Sequence, residues 1–247
     1  MAHPKSADAG TGTVKALNFY LTAEQACGYL PERQAGSLIA DPYTRIDAHM
    51  YSVLIDYGFR RNAEHIYRPH CRACEACVAV RVPVADFQPH RSQRRTWRRN
   101  QDIEVRRVAM TYDDEHFRLY QDYLSSRHSG GGMDHTNPGQ YTEFILLSGL
   151  DDTRLYEFRL HNELLAVAIA DHLPQGLSAV YTFFSPAHEA RSLGTYAVLW
   201  QIHEARRMGL TWVYLGYWIK ECRKMSYKNQ FRPLEIYRNN QWLRIGA

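Results

Sequence analysis

Apolar residues recur at helical spacing in several stretches of the chain, and the intervals between them are rich in β-branched and aromatic residues that read as strands. Met50, Val53, Leu54 and Tyr57 predict a helix over 46–57, ended by Gly58. Leu193, Ala197, Val198, Trp200, Ile202, Ala205 and Met208 predict a longer one, with Arg206 and Arg207 in its last turn and Gly209 as its stop. Residues 116–127 and 141–147 read as further helices, and Ser129 to Gly132 as a flexible loop. Residues 17–20, 78–84 and 103–110 read as strands, and Pro83 puts the second of these at a sheet edge or at its own end. Residues 154–160, 164–172 and 177–184 predict an antiparallel meander. Its turns are signalled by His161-Asn162 and Pro174-Gln175-Gly176. The aromatic run 212–218 is a strand after the long helix, and residues 1–15 read as a disordered lead-in.

A meander followed by a helix and a strand is the order found in acetyltransferase-like (GNAT) α/β domains, where the helix N-terminus normally binds an anionic group. Composition adds boundaries rather than identity. Hydrophobic residues at 45% and charged residues at 23% are ordinary for a globular protein of one large or two modest domains. No apolar run approaches the roughly 20 residues that span a bilayer, and the polar start lacks a signal-peptide core. Five cysteines, an odd number with three inside seven residues, suit a reduced, cytoplasmic protein better than a disulfide scaffold. A net charge of +4 does not by itself identify a nucleic-acid binder, so its distribution matters more.

That distribution is uneven. Arg91, Arg94, Arg95, Arg98 and Arg99 fall at i, i+3, i+4, i+7 and i+8, so a helix presents all five on one face, with only Asp102 and Glu104 as local acids. A phosphate-backbone surface for nucleic acid is the expectation, with a solvated face as the alternative. Cys71, Cys74 and Cys77, with Cys27 as a distant fourth thiolate, have spacings that suit zinc or an iron–sulfur cluster, against simple packing of small residues. The turn Arg191-Ser192-Leu193-Gly194 keeps one glycine of a coenzyme A phosphate loop. Tyr196 stands where a second small residue is wanted, and Gly194 serves equally well as a packing glycine. Arg60, Arg61 and the cationic run Lys220 to Lys228 are candidate carboxylate readers, or ordinary surface charge.

Several separate motifs, taken together and in order, resemble the bacterial aspartate/glutamate leucyltransferases, relatives of the arginyl-tRNA–protein transferases. They are Cys27-Gly28-Tyr29-Leu30-Pro31, Gly58-Phe59-Arg60-Arg61, the stretch from Tyr67 through the cysteines to Arg81, Arg91 to Arg95, Tyr214 to Ile219, and Lys224-Met225-Ser226-Tyr227-Lys228. The resemblance implies tandem acetyltransferase-like domains of α/β (α+β) type, with mixed sheets flanked by helices; we expect them over 16–101 and 102–247. It also implies leucine transfer from leucyl-tRNA to proteins beginning with Asp or Glu, which marks them for N-degron degradation. The chain departs from the arginyl branch at Leu30, at its separated cysteines and at Lys220, where that branch has cysteine, adjacent cysteines and histidine. An iron–sulfur cluster or zinc therefore stays an optional expectation, and no cofactor is required. The donor is already an activated ester and an α-amine has a pKa of about 7.7–8.0, so positioning is expected to carry the reaction, and no general base is assigned. Tyr214, Tyr217, Lys224 and Tyr227 are expected to shape the acyl-transfer site, with Tyr181 a weaker candidate. Arg60, Arg61 and Lys220 are expected to grip the acceptor carboxylate. Rival readings are arginyl transfer, a coenzyme A-dependent N-acetyltransferase, a non-catalytic RNA-binding protein and a zinc-dependent module.

Overall fold

The computed structural model describes residues 16–127 and 136–245. The lead-in expected over 1–15 and the loop expected over 129–132 lie outside these residues. In chain order the strands of the first part are β1 (Phe19–Leu21), β2 (Gln25–Ala26), β3 (Gln34–Ala35), β4 (Ser37–Ala40), β5 (Arg60–Asn62), β6 (His65–Pro69) and β7 (Val78–Pro83). Its helices are α1 (Ala48–Asp56) and α2 (Arg91–Arg99). The rest comprises β8 (Glu104–Val108), α3 (Asp114–Arg127), α4 (Pro138–Tyr141), β9 (Thr153–Leu160), β10 (Glu163–Leu173), β11 (Gly176–Phe184), α5 (Leu193–Arg207), β12 (Trp212–Trp218), β13 (Leu234–Arg238) and β14 (Gln241–Ile245). A single π turn, Thr142–Leu146, continues α4, and 3₁₀ segments cover Pro186–Arg191 and Arg223–Gln230.

The expected α/β class is what the chain adopts. Eight strands form one mixed sheet in the order β14-β13-β7-β12-β11-β10-β9-β8, and four form an antiparallel sheet in the order β1-β4-β6-β5. The meander β9–β10–β11 is antiparallel, and His161 and Asn162, both at positive φ, make the tight primed turn between its first two strands. Alternation along β10 builds two layers. Val167 and Ile169 pack on one face with Phe117, Tyr120 and Leu124 of α3. Ala166, Ala168 and Ala170 lie on the other with Tyr196 and Ala197 of α5. Small residues there let the helix approach closely.

Of the two positions Pro83 allows for β7, an edge or the strand's own end, the second is observed. The strand lies between β12 and β13, with Pro83 as its last residue, where a missing N–H costs little. The boundary expected between residues 101 and 102 is thus crossed by sheet pairing, because β7 belongs to the large sheet and Trp97 of α2 packs against Tyr196 and His203 of α5. The small sheet shares its core as well. Ile46, Tyr51, Leu54 and Phe59 cluster with Leu150, Leu173 and Tyr214.

Candidate active site

Helix α5 is the crossover that returns the chain from β11 to a parallel partner, β12. The parallel ladder is short. It joins Gly176, Leu177 and Ser178 to Trp212, Val213 and Tyr214 and then ends. Residues 179–184 and 215–218 continue as strands without pairing with each other, so the sheet opens into a cleft at this point. Burial follows the pairing: Gly176 to Ser178 are buried, while Ala179 to Thr182 are partly accessible. On the β12 side a bulge falls between Tyr214 and Gly216, where Gly216 has φ +77°, a conformation costly for any residue with a Cβ.

The residues expected to act here fall into distinct environments. Tyr214 and Tyr217, expected to shape the acyl-transfer site, point their hydroxyls toward α1 and the small sheet. The Tyr214 hydroxyl donates to Asp56 Oδ1 at 2.7 Å, and the Tyr217 hydroxyl donates to the carbonyls of Gly58 at 2.8 Å and Tyr67 at 3.2 Å. Burial holds both phenols above the ordinary tyrosine range, so they fasten β12 to the first part of the chain as neutral donors. Lys224 and Tyr227 lie in the 3₁₀ segment after β12, both exposed, and Lys220 is exposed in the turn that leaves the strand.

Arg61, expected to grip the acceptor carboxylate, is paired with a carboxylate of the chain itself. Its Nε and Nη2 donate to Asp171 at 3.0 and 2.7 Å, with the two side chains 2% and 0% exposed. Thr153 donates a further bond to Asp171 at 2.7 Å. Burial works against the guanidinium charge, but the carboxylate outweighs it and raises the Arg61 pKa. Arg60 is different. Its guanidinium is buried but has only carbonyls for partners: Phe59 at 2.7 Å, and Ile55 and Val80 at 3.4 Å. The rings of Tyr214 and Tyr217 flank it at 5.4 and 5.9 Å, and its buried Nε has no partner. Among the described residues it has no carboxylate.

Beside it lies a group that the sequence did not single out. Lys228, four positions after Lys224, is buried, and its Nζ donates to the Tyr217 carbonyl at 2.7 Å. Burial and the nearby Arg60 charge pull its pKa down to about 7, with Cys222 opposing them. The Lys220 to Lys228 run was the signal available in the sequence; which of its lysines turns inward was not.

The five arginines of α2 are all exposed. The side chains of Arg91, Arg95 and Arg98 make no hydrogen bond or ion pair among the described residues, while Arg94 donates to Pro89 O at 2.6 Å and Arg99 to Ala190 O. The two local acids are spent elsewhere, Asp102 on Arg191 and Glu104 on Arg106. The face is therefore an uncompensated cationic stripe. Arg191 itself, pinned to Asp102 at 2.9 Å, is not free for a pyrophosphate. Gly194 is a packing glycine, since a Cβ there would fall 2.9 Å from Phe184 Cε1.

Cys27, Cys71, Cys74 and Cys77 are partly buried and carry no disulfide. Cys27 Sγ accepts from Leu30 N at 3.5 Å, and Cys71 Sγ donates to Gly36 O at 3.7 Å. Burial, followed by the neighbouring Cys71, Cys27 and Cys74, pushes the Cys77 thiol up to about 12. No group of three or more His, Cys, Asp or Glu among the described residues is arranged to hold a metal ion, so these side chains as placed do not fit one. No helix among the described residues is long and apolar enough to cross a membrane.

A sheet opened between parallel strands after a meander is the arrangement of GNAT-like domains, and comparison with known proteins gives the class. Residues 25–95 match the family model for the arginine-tRNA-protein transferase N terminus, and 115–238 match that for its C terminus. A Pseudomonas fluorescens aspartate/glutamate leucyltransferase is 52% identical over 92% of this chain and 96% of its own. One from Chromobacterium violaceum is 49% identical over 94% and 95%. The crystal structure of FemX covers 92% of this chain and 88% of its own with a TM-score of 0.53 at 9% identity, a likeness of fold alone. The chain belongs to the arginine-tRNA-protein transferase family. It is an aminoacyl-tRNA–protein transferase, with tRNA and protein as its substrates.

Proposed function

We propose that this enzyme transfers leucine from leucyl-tRNA to the α-amine of proteins whose first residue is Asp or Glu, in the cytoplasm, where the product enters N-degron degradation. The observation that carries the reading is the near-complete, roughly half-identical match to proteins named for that activity. The α2 stripe, Arg91, Arg94, Arg95, Arg98 and Arg99, is the proposed tRNA contact, because it has five exposed cations and no acid of its own. An apolar donor side chain suits the partly accessible wall of β11, where Tyr181 and Phe184 meet Tyr123 of α3 at ring distances of 6.5 and 5.0 Å. Arg127 lies 5.2 Å from the Phe184 ring and would repel an arginyl side chain. Arg60 is the proposed reader of the acceptor carboxylate, with Lys220 at the rim, since Arg61 is committed to Asp171. Lys224 and Tyr227 remain proposed as walls of the donor site. No cofactor is needed, because the ester arrives activated.

The test pairs radiolabelled leucyl- and arginyl-tRNA with peptides beginning in Asp, Glu, Asn and Ala. Leucine should appear on the Asp and Glu peptides alone. Arginine transfer in preference to leucine, or equal use of Asn, would overturn the specificity proposed.

A further inference from the structure

Lys228 is the only buried lysine among the described residues, and its surroundings do not suit an ammonium ion. No carboxylate among those residues pairs with it. The groups that face it are the Arg60 guanidinium from β5, the Tyr217 carbonyl from β12, the Cys222 thiol, and the Tyr227 ring 5.9 Å away. One is a cation, and among the described residues the compensation is one hydrogen bond and the face of one ring. A structural lysine can satisfy its three donors or reach water. This one does neither.

Its position gives it a use. Nζ lies against Gly216, where a Cβ would stand 3.5 Å away. It bonds to Tyr217, beyond the last β12 residue that pairs with β11. The amine thus sits beside the part of β12 that does not pair with β11, next to the one buried arginine among the described residues that has no carboxylate. An N-terminal Asp or Glu presents an α-amine and a carboxylate a few bonds apart, so neighbouring Arg60 and Lys228 match that pair.

We propose that Lys228 is a catalytic residue that takes the proton released by the attacking α-amine, an assignment that rests on the aminoacyl-transfer reading above. The amine nitrogen bonds to the ester carbonyl carbon and the carbon–oxygen bond to the tRNA ribose breaks. The proton lost by nitrogen passes to Lys228 Nζ and from there to the departing ribose oxygen, so the step balances without a further reactant. In the neutral form, one N–H of Lys228 serves the Tyr217 carbonyl and the lone pair remains for the proton. Burial and Arg60 lower the pKa of the amine, so a substantial fraction is neutral near pH 7.

Single-turnover leucyl transfer to an Asp peptide should fall roughly 10²–10⁴-fold in Lys228→Met, the range for loss of a general base, with the peptide KM and tRNA affinity near wild type. Lys228→Arg, which keeps a cation but cannot supply a base, should be equally slow. Wild type should show a limb of the pH–rate profile near 7 that vanishes in both variants, leaving only ionisation of the acceptor amine. Added methylamine should raise the yield of leucyl-peptide from Lys228→Ala. Near-UV circular dichroism and tRNA binding report whether each variant is folded. If Lys228→Met unfolds, the Lys228→Arg rate and the methylamine rescue of Lys228→Ala carry the test. Near-normal transfer by Lys228→Arg, or a loss confined to the preference for Asp over Asn, overturns the assignment and makes Lys228 a charge or a specificity determinant. Failure of the wild-type protein with every aminoacyl-tRNA overturns the substrate reading, and this assignment with it. Transfer by wild type with the variants unimpaired overturns Lys228 alone.

Discussion

Arg61 offers a sharp separation between holding the fold and reading the substrate. Its guanidinium and Asp171 form a two-point ion pair closed off from water, and Thr153 adds a third bond to the carboxylate. The pair joins β5 of the small sheet to β10 of the large one. Removing either member leaves the other charge buried and uncompensated, which costs about 3–5 kcal/mol. For a chain of this size about 1 kcal/mol moves the melting temperature by roughly 2–4 °C, so Arg61→Met or Asp171→Leu should lower it by roughly 6–20 °C. Replacing both together should recover much of the loss, because an apolar pair of similar volume restores packing without a stranded charge. The assay is thermal unfolding of the two single variants and the double, with leucyl transfer measured per folded molecule at a temperature where each is native. Folded single variants should keep their preference for Asp over Asn. An Arg61→Met protein that melts like wild type but accepts Asn as readily as Asp would refute the structural role and return Arg61 to the acceptor site.

The α2 stripe should govern tRNA affinity. Alanine at Arg94, Arg95, Arg98 and Arg99 should weaken binding and flatten its salt dependence by about 0.9 of a log unit for each phosphate left unneutralised, which a filter-binding series in rising salt measures. Gly194→Ala should cost about 1–3 kcal/mol by overpacking against Phe184, and Phe184→Leu should recover part of it in urea unfolding. Lys228 also leaves a signature in stability. Its folded pKa is depressed to about 7, so above that pH the unfolded lysine binds a proton that the folded one does not. Stability relative to Lys228→Met should therefore rise as pH goes from 7 toward 10, and a flat difference would mean that the buried amine stays charged.

The elements were legible where the pattern was local. The charged repeat gave α2 its observed bounds, His161-Asn162 gave the hairpin, and Gly209 stopped α5 where its φ of +71° allows. Pairings across long separations were not legible. Pro83 allowed either an edge or a strand end because proline lacks a donor; β7 ends on it, but nothing local told that its flanking strands come from the far end of the chain. Arg61 and Tyr214 look like free functional groups until Asp171 and Asp56, 110 and 158 residues away, occupy them. Lys224 and Lys228 share one short basic segment, and only the packing of that segment on β12 decides which is buried. The cleft itself is a failure of pairing after Ser178 and Tyr214, and alternation of side chains carries no record of where a ladder stops.

The central placement of β7 bears on how the chain acquires its shape during synthesis. Its partners, β12 and β13, leave the ribosome more than a hundred residues later, so the first third of the polypeptide emerges with a strand that has nothing to pair with. The core around Tyr51 waits in the same way for Leu173 and Tyr214. Folding of the two parts is therefore one late event rather than two successive ones, with the slow, non-local closure that such topology imposes. Fragments cut between residues 101 and 102 should each stay incomplete, and mixing them should restore structure that neither has alone.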